Sequence, residues 1–133
     1  MLMERTDVQQ VSNAMMNMLH AEEIDIINDF HDAALAKDVE KVDELFAVVE
    51  FDVEDHFSEE EQMMEESQFY GMQMHKSEHD TMRGKLKKLR ENWDKTKNPE
   101  LVIRFLEDDF KHWIVLHISR WDSETAMHIG DTN

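Results

Sequence analysis

Apolar residues recur along this chain in steps of three and four, in four separate stretches. The first stripe runs Met16, His20, Ile24, Ile27, His31, Leu35. The second runs Val42, Leu45, Val49, Val53, His56, Glu60, Met63. The third is Met72, His75, His79, Met82, Leu86, Leu89, Trp93. The fourth is Ile103, Leu106, Phe110, Trp113, His117, with Trp121 one turn further. A period near 3.6 residues is that of a helix burying one face. Strand-like alternation of useful length and solenoid repeats are both missing from the pattern. The stripes predict helices over roughly 11–36, 39–66, 71–95 and 99–126.

The punctuation between stripes agrees. Lys37-Asp38 parts the first two, and Asp38 can cap a helix N-terminus. Ser67 to Gly71 parts the second and third. Asn98-Pro99-Glu100 starts a helix, with Asn as cap and Pro in the first turn. Gly130 closes the last stretch. Four long helices with short connections predict an all-α fold, an antiparallel up-down-up-down four-helix bundle. The whole chain, 1–133, reads as one domain with a short N-terminal arm ahead of Val11.

Composition narrows the partners. The formal net charge is −17, which disfavours phosphate backbones and anionic membranes, since both require clustered Lys and Arg. The expectation is an acidic, solvated exterior with no nucleic acid partner and no membrane insertion. The chain has no cysteine, so neither a disulfide frame nor a thiolate ligand is possible. No apolar run is long enough to span a bilayer, and the start lacks the regions of a signal peptide. A cytoplasmic monomer is expected.

Most of the chemistry lies on the stripes themselves. His20, His56, Glu60, His75, His79 and His117 occupy positions that a bundle buries, where a bare imidazole or carboxylate is costly, and Asp122 follows one residue past the fourth stripe. An ionised Glu60 there must be paired or bound to a cation. The turns also place these residues at one depth. His20 and His56 are equidistant from Asp38. Glu60 and His75 are centred between Ser67 and Gln68, as are His56 and His79. His79 and His117 are centred on Asn98, and His75 and Asp122 between Asn98 and Pro99. An antiparallel bundle therefore brings all seven into one layer. His117 and Asp122 are five residues apart, roughly 140° around an ideal helix. A π-bulge near Ser119 is expected to turn both inward.

Imidazoles and carboxylates without thiolates suit iron, manganese or zinc. Seven ligands exceed the need of one tetrahedral zinc and match two six-coordinate ions that share carboxylates. The segment His56-Phe-Ser-Glu-Glu60-Glu-Gln-Met-Met64 resembles the hemerythrin pattern HFxxEExxM. His75 to His79 resembles its HxxxH, and Trp113 to Asp122 its WLxxHIxxxD. The resemblance covers roughly His20 to Asp122. It implies a non-heme di-iron centre, oxo- or hydroxo-bridged, that binds O2 reversibly. It further implies that His75, His79 and His117 hold one iron, that His20 and His56 hold the other, and that Glu60 and Asp122 bridge them. The chain departs from the family pattern just before His20, where Asn17 and Leu19 stand in place of the usual Asp and Gln.

Other residues have plainer readings. His31 lies three turns from His20 and fits a hydrogen-bonded boundary histidine, while His112 and His128 fit no layer and are expected in solvent. The acidic run around Glu60 reads as a solvated face, with only Glu60 on the stripe. The eleven methionines serve as flexible core filler. Two other chemistries compete. His75-Lys-Ser-Glu-His79 also fits the HxxEH of zinc hydrolases, with Glu78 as base, but that leaves the other five residues without a purpose. A ferritin-like oxidase needs Glu-x-x-His on two helices, and no histidine here has Glu three residues before it. Weak iron oxidation or iron storage is the alternative to O2 carriage, and an enzyme is not expected.

Overall fold

The computed structural model describes residues 1–130, and they are helical almost throughout. A 3-10 turn at Arg5–Asp7 precedes α1 (Ala14–Leu35), α2 (Val39–Glu66) and α3 (Met72–Thr96). The fourth long helix is built in five pieces. These are α4 (Pro99–Arg104), a π segment (Phe105–Phe110), α5 (Lys111–His117), a second π segment (Ile118–Asp122) and α6 (Ser123–Ile129). No strand occurs among the described residues.

Side-chain caps define the helix starts. Asn13 accepts from the Met16 amide at 2.9 Å, Asp38 from Lys41 at 3.2 Å and Asn98 from Glu100 at 3.0 Å, with Pro99 in the first turn. The chain leaves its helices through positive φ at Lys37, Gln68, Lys97 and Gly130. At the α2–α3 turn a Cβ on Gly71 would lie 2.9 Å from the Phe69 ring, which admits only glycine without a shift.

The helices bury two kinds of interior. One is apolar and aromatic, with Phe30, Phe46, Trp93, Leu106 and Phe110 at its centre and Phe30 packed edge-on to Phe46. Trp93 donates its indole N–H to Asp43 at 2.6 Å, so its polar end is satisfied. The other interior is a polar layer, described below. Between α2 and α3, ion pairs join Asp43 to Lys97, Glu50 to Arg90 and Glu54 to Arg83. The stripes were one residue wide of the full buried face. Leu35 is half exposed, while Phe30, Phe46, Phe57 and Met64, off the stripes, are fully buried.

The N-terminal arm is packed on the bundle. Leu2, Met3, Val8 and Val11 are buried against the bundle. Two amide side chains on α1 clasp their backbone. Asn28 accepts from the Leu2 and Met3 amides, both at 3.0 Å, and donates to the Met3 carbonyl at 2.8 Å. Asn17 accepts from the Val11 amide and donates to its carbonyl, both at 2.8 Å. A carboxylate at position 17 could accept but not donate, which accounts for Asn17 where the resemblance leads one to expect Asp.

Candidate metal centre

Each of the long helices delivers ligand-type side chains to the polar layer. His20 comes from α1, His56 and Glu60 from one face of α2, and His75 and His79 from one face of α3. His117 ends α5 and Asp122 ends the second π segment. In that segment the i to i+5 pattern stacks residues five apart, so His117 and Asp122 face the same way. All seven are at most 2% exposed.

The seven groups sort into two sets that share their carboxylates. Glu60 Oε1 lies 3.1 Å from His79 Nε2 and 3.4 Å from His75 Nε2. Glu60 Oε2 lies 2.6 Å from His56 Nε2 and 3.4 Å from His20 Nε2. Asp122 Oδ1 is 2.8 Å from His75 Nε2 and 3.0 Å from His117 Nε2, and Oδ2 is 2.8 Å from His20 Nε2. Glu60, His75, His79, His117 and Asp122 thus form one group with ligand atoms within 4.8 Å of one another. His20, His56, Glu60 and Asp122 form the second.

These contacts fit cations better than hydrogen bonds. Three imidazole nitrogens approach Asp122 within 3.0 Å, yet neither of its oxygens is met along a hydrogen-bonding direction. His75 Nε2 and His117 Nε2 face each other at 3.1 Å, a contact two protonated nitrogens cannot make. Donors aimed at a common point and not at each other are what an ion requires. Two carboxylates and five imidazoles, with no thiolate, suit iron or another borderline metal.

In the absence of metal, protons take the cation's part. Burial alone would lower His20 and His75, but their contacts with Asp122 and Glu60 outweigh it and push both up to about 9. His56 is likewise raised, against its burial, by the charges of Glu60 and Glu23. Burial works against charge on Glu60 and Asp122 too, yet the facing imidazoles hold both below the usual carboxylate range. Asp52, half-buried nearby, is pushed up to about 6 by burial and then by the Glu23 charge.

The far side of each imidazole explains its aim. With Nε2 turned to the centre, Nδ1 carries the proton and donates. His75 Nδ1 donates to Thr125 Oγ1 at 2.7 Å and His79 Nδ1 to Glu61 at 2.8 Å. His56 Nδ1 meets the buried Glu23. His117 Nδ1 has only Glu78, at 3.7 Å, and His20 Nδ1 has no hydrogen-bond partner among the described residues. Phe57 stacks on His79 at 4.1 Å between centroids and Trp113 on His117 at 4.3 Å, so two rings are walled by aromatic faces.

Three of these supports stand outside the stripes. Glu61 belongs to no solvated face, since it is bonded to both His79 and Arg83. Glu23 sits one residue off the first stripe, yet it is three residues from His20 and four from Ile27, so helical spacing does put it inside. Thr125 lies one turn past Asp122 on α6. Glu78, the base of the zinc-hydrolase reading, faces the Nδ1 side of His117, away from the converging nitrogens. His31 bonds to Glu107 at 2.8 Å outside the layer, and His112 and His128 are exposed.

Known proteins resemble this chain over nearly its full length. Residues 11–129 match the model of the hemerythrin HHE cation binding domain. The chain is 47% identical over 131 residues to a protein of Aquifex aeolicus (strain VF5) called Bacteriohemerythrin, covering 98% of this chain and 100% of that one. No solved structure matches it. No helix among the described residues is long and apolar enough to cross a membrane. With its buried histidine and carboxylate layer and a match over nearly its full length, the chain belongs to the hemerythrin family.

Proposed function

We propose that this protein binds O2 reversibly at a non-heme di-iron centre within a single antiparallel up-down-up-down domain. The observation that carries the reading is the division of Glu60 and Asp122, each turning one oxygen to either histidine set. His75, His79 and His117, with Glu60 Oε1 and Asp122 Oδ1, would hold one ion. His20 and His56, with Glu60 Oε2 and Asp122 Oδ2, would hold the other, with one protein donor fewer. Two iron ions bound there would supply reversible redox chemistry toward O2. Membership in the family and the likeness to a bacteriohemerythrin support iron as the metal. The pairs Asp43–Lys97, Glu50–Arg90 and Glu61–His79, all equidistant from Tyr70, support the antiparallel course of α2 and α3.

The remaining residues serve containment. Glu60 and Asp122 offset cation charge without thiolates, and the neutral imidazoles leave the set carboxylate-poor, which favours carriage over strong O2 activation. Phe57 and Trp113, stacked on His79 and His117, shield the layer from water. One chain carries all seven donors, so a monomer suffices.

The test is spectroscopic. The purified protein is expected to carry two irons per chain. The reduced protein is expected to gain a ligand-to-iron charge-transfer band in air and lose it on deoxygenation, over repeated cycles. A single irreversible bleaching with sustained O2 consumption would replace carriage by the oxidase reading.

A further inference from the structure

Behind the two histidine sets the supporting groups are unequal in charge. Glu61 backs His79, but Arg83 donates to Glu61 at 2.7 Å and offsets part of its charge, the same guanidinium also pairing with Glu54 and Asp80. Thr125, which backs His75, is uncharged. On the other side, His20 Nδ1 has no hydrogen-bond partner among the described residues and His56 Nδ1 meets Glu23. Glu23 is 1% exposed. Among the described residues no lysine or arginine forms an ion pair with it, and its second oxygen, Oε1, has no hydrogen-bond partner. Its charge is therefore shared with His56 alone. A lone buried carboxylate is a costly way to gain stability. A carboxylate on the outer nitrogen of a ligating imidazole fixes the ring's tautomer and raises the basicity of the inner nitrogen.

We propose that Glu23 is a positioning residue for His56, which it holds with Nε2 toward the centre, and that its unneutralised charge biases the His20/His56 metal toward the ferric state. The consequence is an electronic difference between the two ions, in addition to the difference in donor count. The inference rests on the di-iron reading. It assigns Glu23 no contact with the metal.

The experiment compares Glu23→Gln and Glu61→Gln with the parent protein, each loaded with iron. Glutamine keeps the length and an accepting oxygen but removes the charge. Loss of a partner behind a ligating histidine costs about 10- to 100-fold in metal affinity, and loss of a negative charge places that cost on the ferric form. At about 59 mV per tenfold for one electron, the midpoint potential of the Glu23→Gln protein is expected to rise by about 60 to 120 mV. Glu61→Gln, whose charge Arg83 already offsets in part, is expected to move it less. A Glu23→Gln protein that binds two irons at an unmoved potential overturns the inference and leaves the di-iron reading intact. A parent protein that takes up no iron removes that reading and the inference with it. A second readout needs no variant. In the zinc-loaded parent, 15N-histidine NMR is expected to show His56 protonated at Nδ1 with a strongly deshielded proton. A His56 proton at ordinary shift overturns the inference even if Glu23→Gln fails to fold.

Discussion

Removing the metal should make this protein lose stability as pH rises from about 6.5 to about 9. In the metal-free fold His20 and His75 titrate at about 9, whereas an unfolded histidine titrates near 6.5. A group whose folded pKa is raised stabilises the fold fully below its unfolded value, and that stability disappears as pH climbs through the folded value. For one histidine the difference amounts to about 3 kcal/mol, at a slope of about 1.4 kcal/mol per pH unit. Because His20 and His75 share Asp122 and Glu60, the combined effect should be less than twice that figure. His56 shifts in the same direction. The carboxylates do not obscure this window. Glu60 and Asp122 titrate below the usual range, and Asp52 at about 6 is ionised before it begins. Urea denaturation of chelator-treated protein at pH 6, 7, 8 and 9 measures the loss. The iron-loaded protein should show no such decline, since metal replaces the protons on these nitrogens. Metal-free stability that is flat or rising over the window would refute the assignment of protons to these imidazoles.

Four mutations probe the parts separately. Glu60→Ala should lower iron content at both positions, measured as iron per chain, because one side chain faces both sets. His20→Ala should reduce iron from two per chain to about one, leaving the His75, His79 and His117 ion detectable by its spectrum. Asn17→Asp loses the donor to the Val11 carbonyl and should cost about 1–3 kcal/mol in urea denaturation with iron content unchanged. Phe57→Ala should cost about 3–5 kcal/mol of stability and loosen His79, seen as faster iron loss to a chelator.

Much of the centre could be read from the chain because its restraints are local. Residues four apart on a helix share a face, so His56 and Glu60, or His75 and His79, were paired by spacing alone. The depth of each pair followed from the caps, since Asp38 and Asn98 set the turn positions. The π segment at Ile118–Asp122 was predictable for the same reason, as no regular helix turns His117 and Asp122 the same way. The earlier π segment at Phe105–Phe110 had no comparable signal, because its apolar residues satisfy the ordinary period.

What only the tertiary structure decided depends on which atom meets which. Whether Glu60 faces one histidine set or both is a matter of ångströms between helices, and residue spacing does not carry it. The same holds behind the imidazoles. Glu23 and Glu61 were both acidic residues beside a stripe, and contacts across helices separate them: Glu61 reaches His79 and Arg83, while Glu23 reaches His56 alone. The N-terminal residues have no period of their own, and Asn17 and Asn28 fix them through backbone hydrogen bonds that no side-chain pattern records. The sequence by itself determined the four helices, their turns and the seven inward residues, since burial and helical spacing constrain residue type position by position. The fold decided the sharing of the carboxylates and the charge behind each histidine, because those depend on distances between helices far apart in the chain.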